Sequence, residues 1–147
     1  MKSISKNIQF QRVMNAVAAG TTDQNSTAVD MANFDRVAFV VAFGTITSGA
    51  VTSCKLQQGD VSDGSDADDL AGTAITVADD DDNQIVILEC ERPQKRYVRC
   101  VVDRGTQNAV IDGIVAMKSG ARVLPVTHDS ATVVGSELNV SPAEGTA

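Results

Sequence analysis

Residues 36–44, Arg-Val-Ala-Phe-Val-Val-Ala-Phe-Gly, restrict the fold more than any other stretch of the chain. At a period of two, Val37, Phe39, Val41 and Phe43 share one face, and Ala38, Val40 and Ala42 share the other. Both faces are apolar, the pattern of a strand inside a sheet rather than at its rim. The run from Val37 to Phe43 is also far too short to cross a bilayer as a helix, which takes about 20 apolar residues.

The same period returns along the chain. Thr52, Cys54 and Leu56 alternate with Ser53, Lys55 and Gln57, giving a strand with one wet side. Val86, Leu88 and Cys90 repeat the pattern until Pro93 ends it. Val98, Cys100 and Val102 repeat it again, with Tyr97, Arg99, Val101 and Asp103 on the reverse. Residues 108–117 form another apolar run, in which Gly113 marks a bulge. Weaker strands are expected at 27–31 and 72–77. Residues 8–19 fit a helical stripe (Phe10, Val13, Met14, Val17) or a strand, and the β character of everything downstream favours the strand. Turn residues separate the runs at Ser48-Gly49, Asp63-Gly64, Asp82-Asn83, Gly105-Thr106 and Ser119-Gly120. The expectation is an all-β chain, a β-sandwich or barrel, with a body over 25–121. An N-terminal segment (1–24) precedes it, and an aperiodic arm over 122–147, with Pro125 and Pro142, follows.

Composition narrows the function classes. A chain of 147 residues is the size of one domain and can bury a real core without metals or disulfides. The net charge of −7 opposes general affinity for nucleic acid or a membrane surface, both anionic. There are four Phe, one Tyr and no Trp, too few rings for a base-stacking platform. Nothing at the N-terminus reads as a secretory signal, and the odd count of three cysteines (Cys54, Cys90, Cys100) suits reduced thiols rather than a disulfide framework. Each cysteine shares strand parity with apolar neighbours, so all three are expected as buried small hydrophobes.

Catalytic constellations are scarce. His128 is the one histidine, in the tail beside Asp129, and neither Ser130 nor Ser136 sits in a strand-turn-helix nucleophile elbow. No Cys-x-x-Cys, phosphate-binding lysine loop or Gly-x-Gly-x-x-Gly occurs, so neither an enzyme nor a cofactor is expected. Residues 60–82 hold nine aspartates and no Lys or Arg; elsewhere twelve cations outnumber ten acids, so the acidity is local. Such oxygen ligands suit Ca²⁺, but the order Asp-x-Asp-x-Asp-Gly with a Glu at the twelfth position is absent, and no metal site is assigned. A basic cluster balances it: Arg92, Lys95, Arg96 and Arg99 flank Tyr97, with Arg104 beyond. These six residues are the candidate contacts with a partner or a sister subunit, where arginine's planar fork would grip carboxylates.

Five phrases, taken together, resemble a family of small tailed-bacteriophage virion proteins. They are Thr27-Ala-Val-Asp-Met31, Arg36–Gly44 with the Thr-Ile-Thr after it, Lys55-Leu-Gln-Gln-Gly-Asp60, Arg92-Pro-Gln-Lys-Arg-Tyr-Val-Arg99 and Ser141-Pro-Ala-Glu-Gly-Thr-Ala147. The resemblance spans about residues 27–147 and implies a capsid decoration, or cement, protein. It implies a jelly-roll-like β-sandwich with an extended C-terminal arm, bound outside the capsid to the major capsid protein as a homo-oligomer, a trimer before a dimer. Synthesis in the host bacterial cytoplasm goes with that reading, and no active site comes with it. A phage tail or head–tail junction component and a Ca²⁺-dependent carbohydrate-binding β-sandwich are the alternatives; the shortage of aromatic rings weighs against the latter.

Overall fold

A computed structural model describes residues 3–146. One helical turn, α1 (Ile4–Asn7), precedes eleven strands: β1 (Gln9–Met14), β2 (Val17–Gly20), β3 (Gln24–Asn25), β4 (Val29–Asp30), β5 (Arg36–Ile46), β6 (Val51–Gly59), β7 (Asp68–Asp69), β8 (Ile75–Val77), β9 (Ile85–Glu91), β10 (Tyr97–Gly105) and β11 (Ala109–Ser119). No helix among the described residues is long and apolar enough to cross a membrane. The chain is an all-β sandwich. Residues 8–19 supply β1 and, after a break at 15–16, most of β2 rather than a helix, as the downstream β character suggested.

Sheet A runs β1-β11-β5-β9, with β2 continuing β1 along β11; sheet B runs β3-β10-β6-β7, with β4 beside β3 on β10 and β8 beside β7 on β6. All pairings are antiparallel. When the broken pieces β1/β2, β3/β4 and β7/β8 each count as one passage, eight strands lie in the orders 1-8-3-6 and 2-7-4-5. This is the jelly-roll order, two interleaved Greek keys. The body therefore begins at Gln9 rather than at residue 25. Polar Gln9, Gln11 and Arg12 dilute the period of β1, and its pairing with β11 supplies what its composition does not.

The core lies between the sheets and follows the parity read from sequence. Val37, Phe39, Val41 and Phe43 of β5 meet Cys54, Leu56, Val98, Cys100 and Val102 of sheet B, all buried. Burial pushes the Cys54 thiol up to about 12 and Cys100 further, so neither ionises near neutral pH; Cys90 is only half-buried. Gly113 has φ +150°, and the β11–β5 register slips between Ile111 and Gly113, the expected bulge. A Cβ there would stand 3.2 Å from the Met14 carbonyl. Of the two weaker strands, 27–31 reduces to β4 and 72–77 to β8.

Strand β5 is interior, between β11 and β9, but only one of its apolar faces is covered. Ala38, Val40 and Ala42 remain half-buried on the outer face of sheet A. The inner face ends in a buried cation: Lys118 donates to the Asp30 carbonyl at 3.0 Å and lies 4.4 Å from the Phe34 ring centroid. Burial lowers its pKa.

The arm expected from residue 122 divides in two. Its first part closes the free edge of β1: Val126 N–H donates to the Lys6 carbonyl, and Thr132 Oγ1 accepts the Arg12 N–H at 3.2 Å. His128 Nδ1 accepts the Phe10 N–H at 3.1 Å, which leaves Nε2 as the donor to the Ser5 carbonyl at 3.0 Å. The tail histidine is thus a clip, not a solvated side chain. From residue 134 to 146 the arm is exposed and belongs to no sheet.

Candidate partner-contact surface

The short connection between β9 and β10 builds the basic surface. Arg92 takes a left-handed conformation (φ +52°) immediately before Pro93, while its N–H donates to the Asp35 carbonyl at 2.7 Å. A non-glycine residue there is strained, and such strain concentrates at functional loops. The turn throws Arg92, Lys95 and Arg96 around one groove of about 560 Å³, floored by Met31 and Phe34. Arg122 joins them from the start of the tail, and Asp35 adds one carboxylate. The Arg92 side chain is 84% exposed, and its one salt-bridge partner among the described residues is Glu91, at 4.0 Å. Neither Lys95 nor Arg122 is in a salt bridge among the described residues.

Arg96 is the anchored member. Its Nε and Nη2 donate to the two Asp30 oxygens at 3.0 and 2.8 Å, a fork that fixes the guanidinium 5.3 Å from the Tyr97 ring. The Arg96 hydrogen bond holds the Asp30 carboxyl below the usual carboxylate range. Tyr97 and Arg99 belong to the outer face of sheet B instead. Arg99 Nε donates to Gln57 Oε1 at 2.8 Å, and its guanidinium packs on Gly64, where a Cβ would come within 2.6 Å.

Arg104 does not belong with the others. It shares parity with Val98, Cys100 and Val102, points inward and is 5% exposed. Nε donates to the Thr22 carbonyl at 2.8 Å, and Nη1 to the Ala18 and Ala109 carbonyls at 3.0 and 2.7 Å. A buried guanidinium occupied by its own chain is a staple between β2, the β2–β3 connection and β11, and it presents nothing to a partner. Sequence reasoning grouped it with the cluster by proximity although strand parity already set it apart. Arg122 was missed because it stands far from the run in sequence and only the fold returns it to the groove.

Six of the nine aspartates in the acidic stretch are engaged by the chain itself, in their own turns, at the neighbouring β5–β6 turn or against β6. Asp66 accepts the N–H groups of Asp60 and Val61, Asp63 that of Ser65, Asp79 that of Gly49, Asp81 that of Ala78 and Asp82 that of Ile46. Asp69 pairs with Gln57 and Lys55. Among the described residues no three His, Cys, Asp or Glu side chains are close enough to hold a metal ion. These aspartates act as turn caps.

Neither protein-family models nor curated proteins yield a match to this chain.

Proposed function

We propose that the chain is a non-enzymatic structural protein of a phage virion, which decorates the capsid by binding the major capsid protein from outside. The observation that carries this reading is the basic groove on a jelly-roll body. Two exposed cations, Arg92 and Arg122, and the half-buried Lys95 converge there beside a fourth, Arg96, anchored on Asp30. Such a surface suits carboxylates on a large partner, held by several modest contacts whose combined avidity exceeds each alone. The phrases that resemble phage decoration proteins supply the identity of the partner. The aspartate-capped turns keep the outward surface wet and acidic.

The test is occupancy on heads assembled without this protein. Lys95→Glu with Arg122→Glu lowers bound copies per head at least about tenfold, the loss of roughly 1.4 kcal/mol or more. Unchanged occupancy overturns the groove as the contact, and failure of the unmodified chain to bind any head overturns the virion reading. Arg99→Glu, tested separately, reports whether the outer face of sheet B takes part.

A further inference from the structure

The outer face of sheet A carries an apolar patch, a plate bordered on β11 by the exposed carboxylate of Asp112. The pairing registers align Arg12, Val115, Val40 and Ile87 in one row across the four strands, with Ala42 and Ile85 paired in the next. Ile85 is 59% exposed, Ile87 55% and Val115 38%. The margins of this plate differ in charge. At the β1 margin stands Arg12, exposed, with no carboxylate in salt-bridge reach among the described residues. At the β9 margin Glu89 and Glu91 share Arg36, at 3.3 and 3.0 Å, and Glu91 also lies 4.0 Å from Arg92, so Glu89 is the less fully paired carboxylate.

We infer that this plate is the contact between two copies of the chain, packed face to face about a two-fold axis parallel to the strands. That axis lays β1 of each copy over β9 of the other, so Arg12 meets the Glu89 margin twice. An axis across the strands would stack Arg12 on Arg12 and acid on acid, so charge selects between the two arrangements. Strands about 4.8 Å apart and same-face rows about 6.8 Å apart make a plate on the order of 20 Å square. Two such plates bury roughly 800 Å² before side-chain relief is added, near the ~1,000 Å² lower limit of specific interfaces, so the pair is weak and concentration-dependent. The second apolar face read for β5 in sequence thus acquires its cover from a sister chain. The inference goes beyond the proposed function and is independent of binding to a head; the resemblance to decoration proteins puts a trimer before such a dimer.

Sedimentation velocity of the full chain across the micromolar range tests it. The unmodified chain shifts from monomer to dimer, and Ile87→Lys with Val115→Lys raises the dissociation constant at least about tenfold. Arg12→Glu and Glu89→Arg each weaken the dimer alone, and an equimolar mixture of the two chains restores it, because both cross-copy pairs become attractive again. If Val115→Lys melts early, Ile87→Lys alone carries the comparison, since that side chain is exposed in the monomer. A chain that stays monomeric at the highest concentration overturns the proposal. So does a dimer indifferent to Ile87→Lys, or a mixture that fails to recover association. A chain that dimerises yet binds no head leaves this inference standing and overturns the virion reading alone.

Discussion

The two sheets complete the same jelly roll by different means. In sheet A, β5 and β11 each run eleven residues, and their long ladder, interrupted only by bulges between Ala109 and Gly113, leaves the outer side chains without a structural task. Sheet B is patched at both margins by β3, β4, β7 and β8, pieces of two or three residues. There, polar side chains stand in for the missing ladder. Arg104 binds three carbonyls, Asp23 accepts the Arg104 N–H, Ser26 Oγ accepts the Cys100 N–H, and Thr73 Oγ1 accepts the Leu56 N–H. A short strand cannot satisfy the backbone around it, so its polar neighbours are committed inward and across. A long strand makes no such demand, and its outer face is free to serve a partner.

This contrast breaks most visibly at Arg104. Arg104→Leu leaves the Ala18, Thr22 and Ala109 carbonyls without that donor and costs at least about 3 kcal/mol in urea unfolding; a loss below about 1 kcal/mol would mean the margin of sheet B does not depend on its staple. Ser26→Ala comes next, at about 2 kcal/mol, because the buried Cys100 N–H loses its acceptor; faster hydrogen exchange at that amide checks the cause. Thr52→Val moves the other way. Thr52 Oγ1 is buried in sheet B with no partner among the described residues, so its removal stabilises by about 1 kcal/mol. On the bare face of sheet A, Ile87→Gln changes monomer stability by less than about 0.5 kcal/mol while weakening self-association. The smallest effect is acid sensitivity. Asp66, held low by the Asp60 and Val61 N–H groups, and Asp69, held low by Gln57 and Lys55, both serve sheet B and its loops. A lowered folded value adds stability above the ordinary carboxylate value of about 3.9 and loses it as pH falls through the folded one. Exchange near pH 3 therefore opens residues 60–69 before the β5–β11 ladder, and simultaneous opening would erase the difference between the sheets.

Legibility followed the same division. Strands β5, β6, β9 and β10 were visible because each repeats its apolar parity three times or more. The margins of sheet B were not, since two paired residues carry no period. In the candidate surface, Arg92, Lys95 and Arg96 were found as neighbours in sequence, whereas Arg122 reaches them only through the path of the tail past Asn33. His128 lacked any local signal of its bond to Phe10, 118 residues away.

Alternation by itself determined that this chain makes β-strands, which side of each faces the core, and that Gly113 interrupts its ladder. Parity along β10 even contained the inward turn of Arg104. Tertiary structure alone decided the jelly-roll order, the assembly of the groove from the β4–β5 connection, the β9–β10 turn and the tail, and which apolar face stays open. The reason is physical: side-chain periodicity is local to a strand, whereas coverage of a face depends on which distant segment arrives to lie on it. For the outer side of β5, no segment among the described residues arrives.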